Sequence, residues 1–215
     1  MYERYPTSHF AVASENELIL HKLEQEKSNF NGSLNIAAFY HRSDVFEWLS
    51  TTLFQNLKKD DFDCGPLIHS CIPTENYSVI LRCIEKGVYI NQRDRTKKTF
   101  LFEAARSNHQ DIVELILAHL EDKSIINLQE TKQHKSPLFV ACFNGDLDIF
   151  NLLINELDEN PDLSYTDSQE RTLLHAACYG ENYEIIKTLL TKFNFDPNID
   201  DRSNKRAIHI CCKKG

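Results

Sequence analysis

A chain of 215 residues, 41% hydrophobic, with a net charge of −8 and a pI of about 5.6, holds enough apolar material for one large domain or two small ones. Its acidity argues against general nucleic-acid binding and against an anionic membrane surface, and favours a soluble monomer. The cysteine count of seven is odd, which suits reduced thiols better than a closed disulfide framework.

Met1-Tyr2-Glu3-Arg4-Tyr5-Pro6 has no charged segment followed by an apolar run, and no stretch approaches ~18 uninterrupted apolar residues. Neither a secretory signal nor a membrane span is expected, and the expected compartment is a cytosol. Phe10, Ala11, Ala13, Leu18, Ile19, Leu20 and Leu23 predict a degenerate capping helix pair over 1–31. Units follow at 32–63, 64–96, 97–133, 134–169 and 170–203, with a truncated unit at 204–215. Their anchors Leu34, Leu67, Leu101, Leu138, Leu174 and Ile208 lie 33, 34, 37, 36 and 34 residues apart. A fixed period of this size marks a stacked solenoid, in which neighbouring units share one continuous core. Residues 1–215 are therefore read as a single repeat domain.

The unit around Leu138 serves as the specimen. Ser136 is placed to cap a helix, Pro137 suits its first turn, and Leu138, Ala141 and Cys142 fall on one helical face. Asn144-Gly145 ends that helix, because glycine takes positive φ at a C-cap without steric cost. Asp146 to Asp148 reopen a second helix, in which Ile149, Phe150, Leu152 and Leu153 recur at helical spacing. The equivalent stripes are Val45, Phe46, Trp48 and Leu49, then Ile112, Val113, Leu115, Ile116 and Leu117, then Ile185, Ile186, Leu189 and Leu190. One unit cannot bury such a stripe alone. Polar, turn-rich segments such as 91–98 and 198–205 join successive units and are expected to project as fingers. The longer spacings place extra residues near His119 to Ser124 and near Asp158 to Pro161, behind second helices. Pro73 makes the helix geometry of the unit at Leu67 irregular.

Three copies carry a family signature: Thr99-Phe100-Leu101-Phe102-Glu103-Ala104-Ala105, Ser136-Pro137-Leu138-Phe139-Val140-Ala141-Cys142 and Thr172-Leu173-Leu174-His175-Ala176-Ala177-Cys178. With Ile185-Ile186, Leu189-Leu190 and Asp196-Pro197-Asn198, these resemble the ankyrin repeat. The resemblance runs from Leu34 to Gly215 and is strongest from Asn91 onward. It implies an all-α solenoid of stacked antiparallel helix pairs with projecting β-hairpin-like loops and a concave groove. It also implies that the imidazoles of His175 and His209 bond neighbouring loops. The chain stops at Lys213-Lys214-Gly215, after a first helix, so it is expected to be a fragment of a longer protein.

Chemistry has no visible carrier. No Gly-rich phosphate loop, Gly-x-Ser-x-Gly or His-Glu-x-x-His occurs. Cys71, Cys142, Cys178, Cys211 and Cys212 fall in slots that ask for a small buried residue, where a thiol packs as a small hydrophobe. Cys211 and Cys212, with His209 two residues before, make poor tetrahedral zinc geometry. Asp94, Asp167 and Asp201 suit turns, where a carboxylate accepts backbone N–H groups. No catalytic residue, metal or cofactor is assigned.

Binding is the expected function, with a protein partner. The register leaves Phe39, Tyr40, Ile72, Arg106, Ser107, Phe143, Asn144, Tyr179, Lys213 and Lys214 without packing duty, so Phe39, Tyr40, Phe143 and Tyr179 form a broken aromatic row. The finger side adds Arg93, Arg95, Lys97, Lys98, Lys132, Lys135, Arg171, Lys205 and Arg206, while acid collects on the backs. An acidic or phosphorylated segment on the concave face fits this division. Reversing Arg95, Lys98 and Arg106 to Glu is then expected to abolish capture. The alternatives are a docking domain for an enzyme or channel beyond residue 215, or an effector secreted into a host, the latter suggested by Asn-, Lys- and Ile-rich composition.

Overall fold

The computed structural model describes residues 93–94, 96–120, 122–159 and 161–214, together with 12, 36–37, 40, 42–49, 72, 77 and 80–81. Two compact units divide the chain, Met1–Tyr89 and Ile90–Gly215.

In the first unit, the chain turns on main-chain bonds from Tyr40 N to Ile36 O (3.0 Å) and from Arg42 N to Ala37 O (2.8 Å), then enters α1, Ser43–Trp48. Val45 and Leu49 are buried, as their stripe predicts, and Tyr40 is exposed. Ile72 corrects the reading above, because it is fully buried instead of free for contact. An isoleucine at that position gains more from packing than from water. Phe39 and Pro73 lie outside the described residues.

The second unit is a run of helix pairs. First helices are α2 (Phe100–Arg106), α4 (Pro137–Asn144), α6 (Leu173–Tyr179) and α8 (Ala207–Lys214); second helices are α3 (Gln110–Ala118), α5 (Leu147–Asn155) and α7 (Tyr183–Thr191). Five of these helices start on a capping side chain. Thr99, Ser136 and Thr172 accept the N–H of Phe102, Phe139 and His175, and Pro137 occupies the first turn of α4. Asp146 caps α5 and Asn182 caps α7 in the same way. First helices stack on first helices and second on second, with each pair also packed face to face. Leu101, Leu138, Leu174, Ala104, Ala141, Ala177 and Phe150 form the continuous buried seam. Each fully buried leucine adds about 1.5–3 kcal/mol relative to exposure.

The turns between paired helices explain the close stacking. Gly145 ends α4 at φ 71°, and the same register position holds Asn108 (φ 63°) and Glu181 (φ 56°). A Cβ on Gly145 would run into the backbone of Gly180, and one on Gly180 into Cys142 and Gly145. Backbone therefore meets backbone between these two repeats. Asn182 Nδ2 completes the junction by donating to Gly145 O at 2.9 Å, and Asn144 Nδ2 donates to Ala105 O at 3.3 Å.

The inserted residues fall where expected. Behind α3, Asp122 caps a short 3-10 turn, Lys123–Asn127, that buries Ile125 and Ile126. Behind α5, the irregular segment 161–166 is pinned by Leu163 and by Tyr165, whose hydroxyl accepts from Ser136 Oγ at 2.8 Å and donates to Asn127 Oδ1 at 3.3 Å. Burial pushes that phenol's pKa well up. Two positions differ from the periodicity: Leu190, on a second-helix stripe, and Ile208, an anchor, are exposed. In α7 the packed edge is Ile185 and Leu189, and in α8 it is Ala207 and Ile210.

Candidate protein-binding face

The fingers are built by carboxylates. Asp94 Oδ1 accepts the N–H of Thr96 (2.7 Å) and Lys98 (2.8 Å), Asp167 Oδ1 those of Gln169 (2.9 Å) and Arg171 (3.0 Å), and Asp201 Oδ1 those of Ser203 (2.8 Å) and Lys205 (2.9 Å). This is the turn chemistry expected of the three aspartates. Glu130 does the same work in the remaining finger, accepting Lys132 N at 2.7 Å and Gln133 N, and sequence reasoning missed it because it is a longer acid set eight residues before its anchor where the aspartates stand seven before theirs. Each hairpin closes on its own main chain, as from Asp94 N to Lys98 O (2.9 Å) and from Asp167 N to Arg171 O (3.0 Å). Successive fingers are then joined at 2.9 Å by Thr131 N to Thr96 O, Ser168 N to Gln133 O and Arg202 N to Gln169 O. This backbone ladder sets the fingertips in one line.

His175 ties helix to finger. Its Nδ1 accepts from Thr172 N (3.2 Å) and its Nε2 bonds Lys205 O (3.0 Å), so the neutral ring carries its proton on Nε2. His209 bonds Arg206 N at 3.0 Å within its own unit.

Beside the fingers runs a row with a fixed register. Lys98, Lys135, Arg171 and Lys205 each stand three residues before an anchor, and Arg106, Phe143, Tyr179 and Lys213 five residues after it. Within a repeat the two positions meet. Lys135 Nζ lies 4.5 Å from the Phe143 ring centre, and Arg171 lies 5.3 Å from that of Tyr179. The rings of Phe143 and Tyr179 are themselves 5.4 Å apart, so adjacent repeats share one cation–aromatic surface. Half-burial and the nearby Arg171 charge lower the pKa of Lys135, while Asp167 and Glu130 oppose the shift.

In the α2 repeat the row is closed differently. Glu103, fully buried, receives Lys98 Nζ at 2.9 Å and Arg106 Nε at 2.5 Å. The signal was an acid at a position held elsewhere by Val140, Ala176 and Ile210, flanked by two bases, and sequence reasoning read those bases as free surface. Arg93 is also engaged, donating from Nη2 to Gln129 O at 3.1 Å. Lys97, Lys132 and Lys205 are exposed and enter no ion pair among the described residues. Tyr40 belongs to the first unit, and Phe39 and Arg95 lie outside the described residues.

A model of ankyrin repeats matches the chain in three overlapping copies, at residues 34–129, 68–167 and 138–215. The chain belongs to the ankyrin-repeat family. Its relatives include alpha-latrotoxin-Lg1a of Latrodectus geometricus, 25% identical over 59% of this chain and 9% of that protein. The putative ankyrin repeat protein R219 of Acanthamoeba polyphaga mimivirus is 26% identical over 73% of this chain and 25% of its own. The nuclear factor NF-kappa-B p105 subunit of Gallus gallus is 24% identical over 96% of this chain and 22% of its own. The chain thus spans a quarter or less of the length of these relatives. Ankyrin repeats are in general protein–protein interaction modules, and this family is typically non-catalytic. Among the described residues no helix is long and apolar enough to cross a membrane.

Proposed function

We propose that this ankyrin-repeat array binds an acidic or phosphorylated segment of a protein partner along the fingers and first helices of its concave side, acting as a cytoplasmic monomer without a cofactor. The observation that carries this reading is the fixed-register row in which Lys135 and Arg171 rest on Phe143 and Tyr179. Cations held on rings lose little freedom on meeting a carboxylate or phosphate, and aromatic anchors with arginine dominate interfaces. Lys97 and Lys132 supply exposed charge on the fingers, and Lys205 at the end of the row beside them, suited to steering.

The burial of Glu103 changes which variants test the idea. Reversing Lys98 and Arg106 would strip a buried carboxylate of its partners and destabilise the fold. Reversing Lys97, Lys132 and Lys205 to Glu touches only exposed side chains. Calorimetric titration with an Asp/Glu-rich peptide and its phosphoserine counterpart should give affinity weakened about tenfold or more in the triple variant, equivalent to about 1.4 kcal/mol. Undiminished affinity, or equal affinity for a lysine-rich control peptide, contradicts the reading. A second reading, docking for the working part of a larger enzyme, channel or effector, draws support from relatives at least several-fold longer than this chain.

A further inference from the structure

The stack between α6 and α8 holds two sulfurs side by side. Cys178 Sγ and Cys211 Sγ are 2.6 Å apart, both as free thiols, on facing first helices of consecutive repeats. A disulfide bond spans about 2.05 Å. In register, Cys178 aligns with Ala105 and Cys142, and Cys211 with Ala104, Ala141 and Ala177. At the earlier junctions one or both of these slots hold alanine. Packing therefore asks for a small side chain there and does not itself require sulfur.

We propose that Cys178 and Cys211 form a redox-closable pair whose disulfide staples α8 onto α6. Cys178 is buried, Cys211 half-buried, so a soluble disulfide reaches Cys211 first. The Cys211 thiolate attacks one sulfur of oxidised glutathione and expels a glutathione thiolate. The resulting mixed disulfide sits beside Cys178. Cys178 gives up its proton to the departing thiolate, attacks the Cys211 sulfur, and expels the second glutathione. Two thiols are oxidised and one glutathione disulfide is reduced to two glutathiones, so atoms and electrons balance. Burial and the adjacent sulfur raise the pKa of the Cys178 thiol, which makes this second step the slow one. The staple closes a loop through α7 and the last finger, and thereby removes freedom from the unfolded form of that repeat. Cys178 directly precedes Tyr179 and Cys211 lies two residues before Lys213, so the redox state also fixes the last two positions of the proposed binding row.

The test uses the full chain in glutathione buffers from fully reduced to fully oxidised, followed by alkylation, intact mass and peptide mapping. The expected product is lighter by two hydrogens, with Cys178 linked to Cys211. It should be lost in Cys178→Ala and in Cys211→Ala, kept in Cys212→Ser, and accompanied by amide exchange in α8 slowed about tenfold or more. Because alanine already fills these slots in other repeats, both alanine variants should keep wild-type helicity. A chain that stays reduced, a bond that maps to Cys142 or Cys212, a product that stops at a glutathione adduct, or unchanged exchange in α8 would each overturn the proposal.

Discussion

Arg171 holds Asp167 through both Nε (2.8 Å) and Nη2 (2.5 Å) on a single carboxylate oxygen, while the other oxygen of that buried aspartate caps two backbone amides of the finger. The two residues are therefore unequal. Removing the acid orphans two amides and a cation, whereas removing the base leaves the turn intact.

Asp167→Ala should cost about 2–3 kcal/mol and Arg171→Ala about 1 kcal/mol. Urea unfolding of both variants checks the order, and a larger loss for Arg171→Ala contradicts this account of the finger.

Much of this was legible because the chemistry is local. Ser136, Pro137, Gly145 and Asp146 act within four residues of themselves, so caps and turns follow from residue type alone. The pairing of Phe143 with Tyr179 was legible for another reason, since a constant period puts equal register positions next to each other. What escaped depends on burial at one site. Glu103 occupies a core position, so Lys98 and Arg106 turn inward to it, and a tally of surface charge cannot reveal that. Ile72, Leu190 and Ile208 escaped because helical periodicity marks a face some 100° wide, and neighbours decide which edge of it is covered.

The finger turns carry removable strain. Lys97, His134, Glu170 and Asn204 share a register position with φ between 54° and 60°. Left-handed backbone costs a residue with a Cβ about 1–2 kcal/mol, partly offset by the larger unfolded-state entropy of glycine. Glu170→Gly should therefore stabilise by about 0.5–1 kcal/mol, its 3.5 Å exposed pair with Arg202 counting for little. A urea midpoint at or below that of wild type would refute this.

Gly180 should tolerate no side chain. Its Cβ would meet the backbone of Cys142 and Gly145, and backbone cannot step aside as a flexible side chain can. Gly180→Ala is expected to lose about 1–3 kcal/mol by overpacking. Wild-type stability in the same urea assay would show that the repeats are not in such close approach.

Lys135 should show its environment in its titration. With its pKa below the ordinary lysine value, the folded state binds this proton more weakly than the unfolded state does. Its charge therefore works against folding below the depressed pKa, and that penalty fades as pH rises through it toward the ordinary value of about 10.4. Stability in this alkaline window should rise less in Lys135→Met than in wild type. NMR of methyl-labelled lysines should place the Lys135 midpoint below the ordinary lysine value, and a midpoint at or above that value would falsify the assignment.

The binding face is tested most directly by amide chemical shifts during titration with an acidic phosphoserine peptide. Saturable shifts are expected in residues 96–98, 131–135, 168–171 and 202–206 and around Phe143 and Tyr179. Shifts confined to α3, α5 and α7, or none at saturating peptide, would contradict a ligand seated on the fingers and first helices.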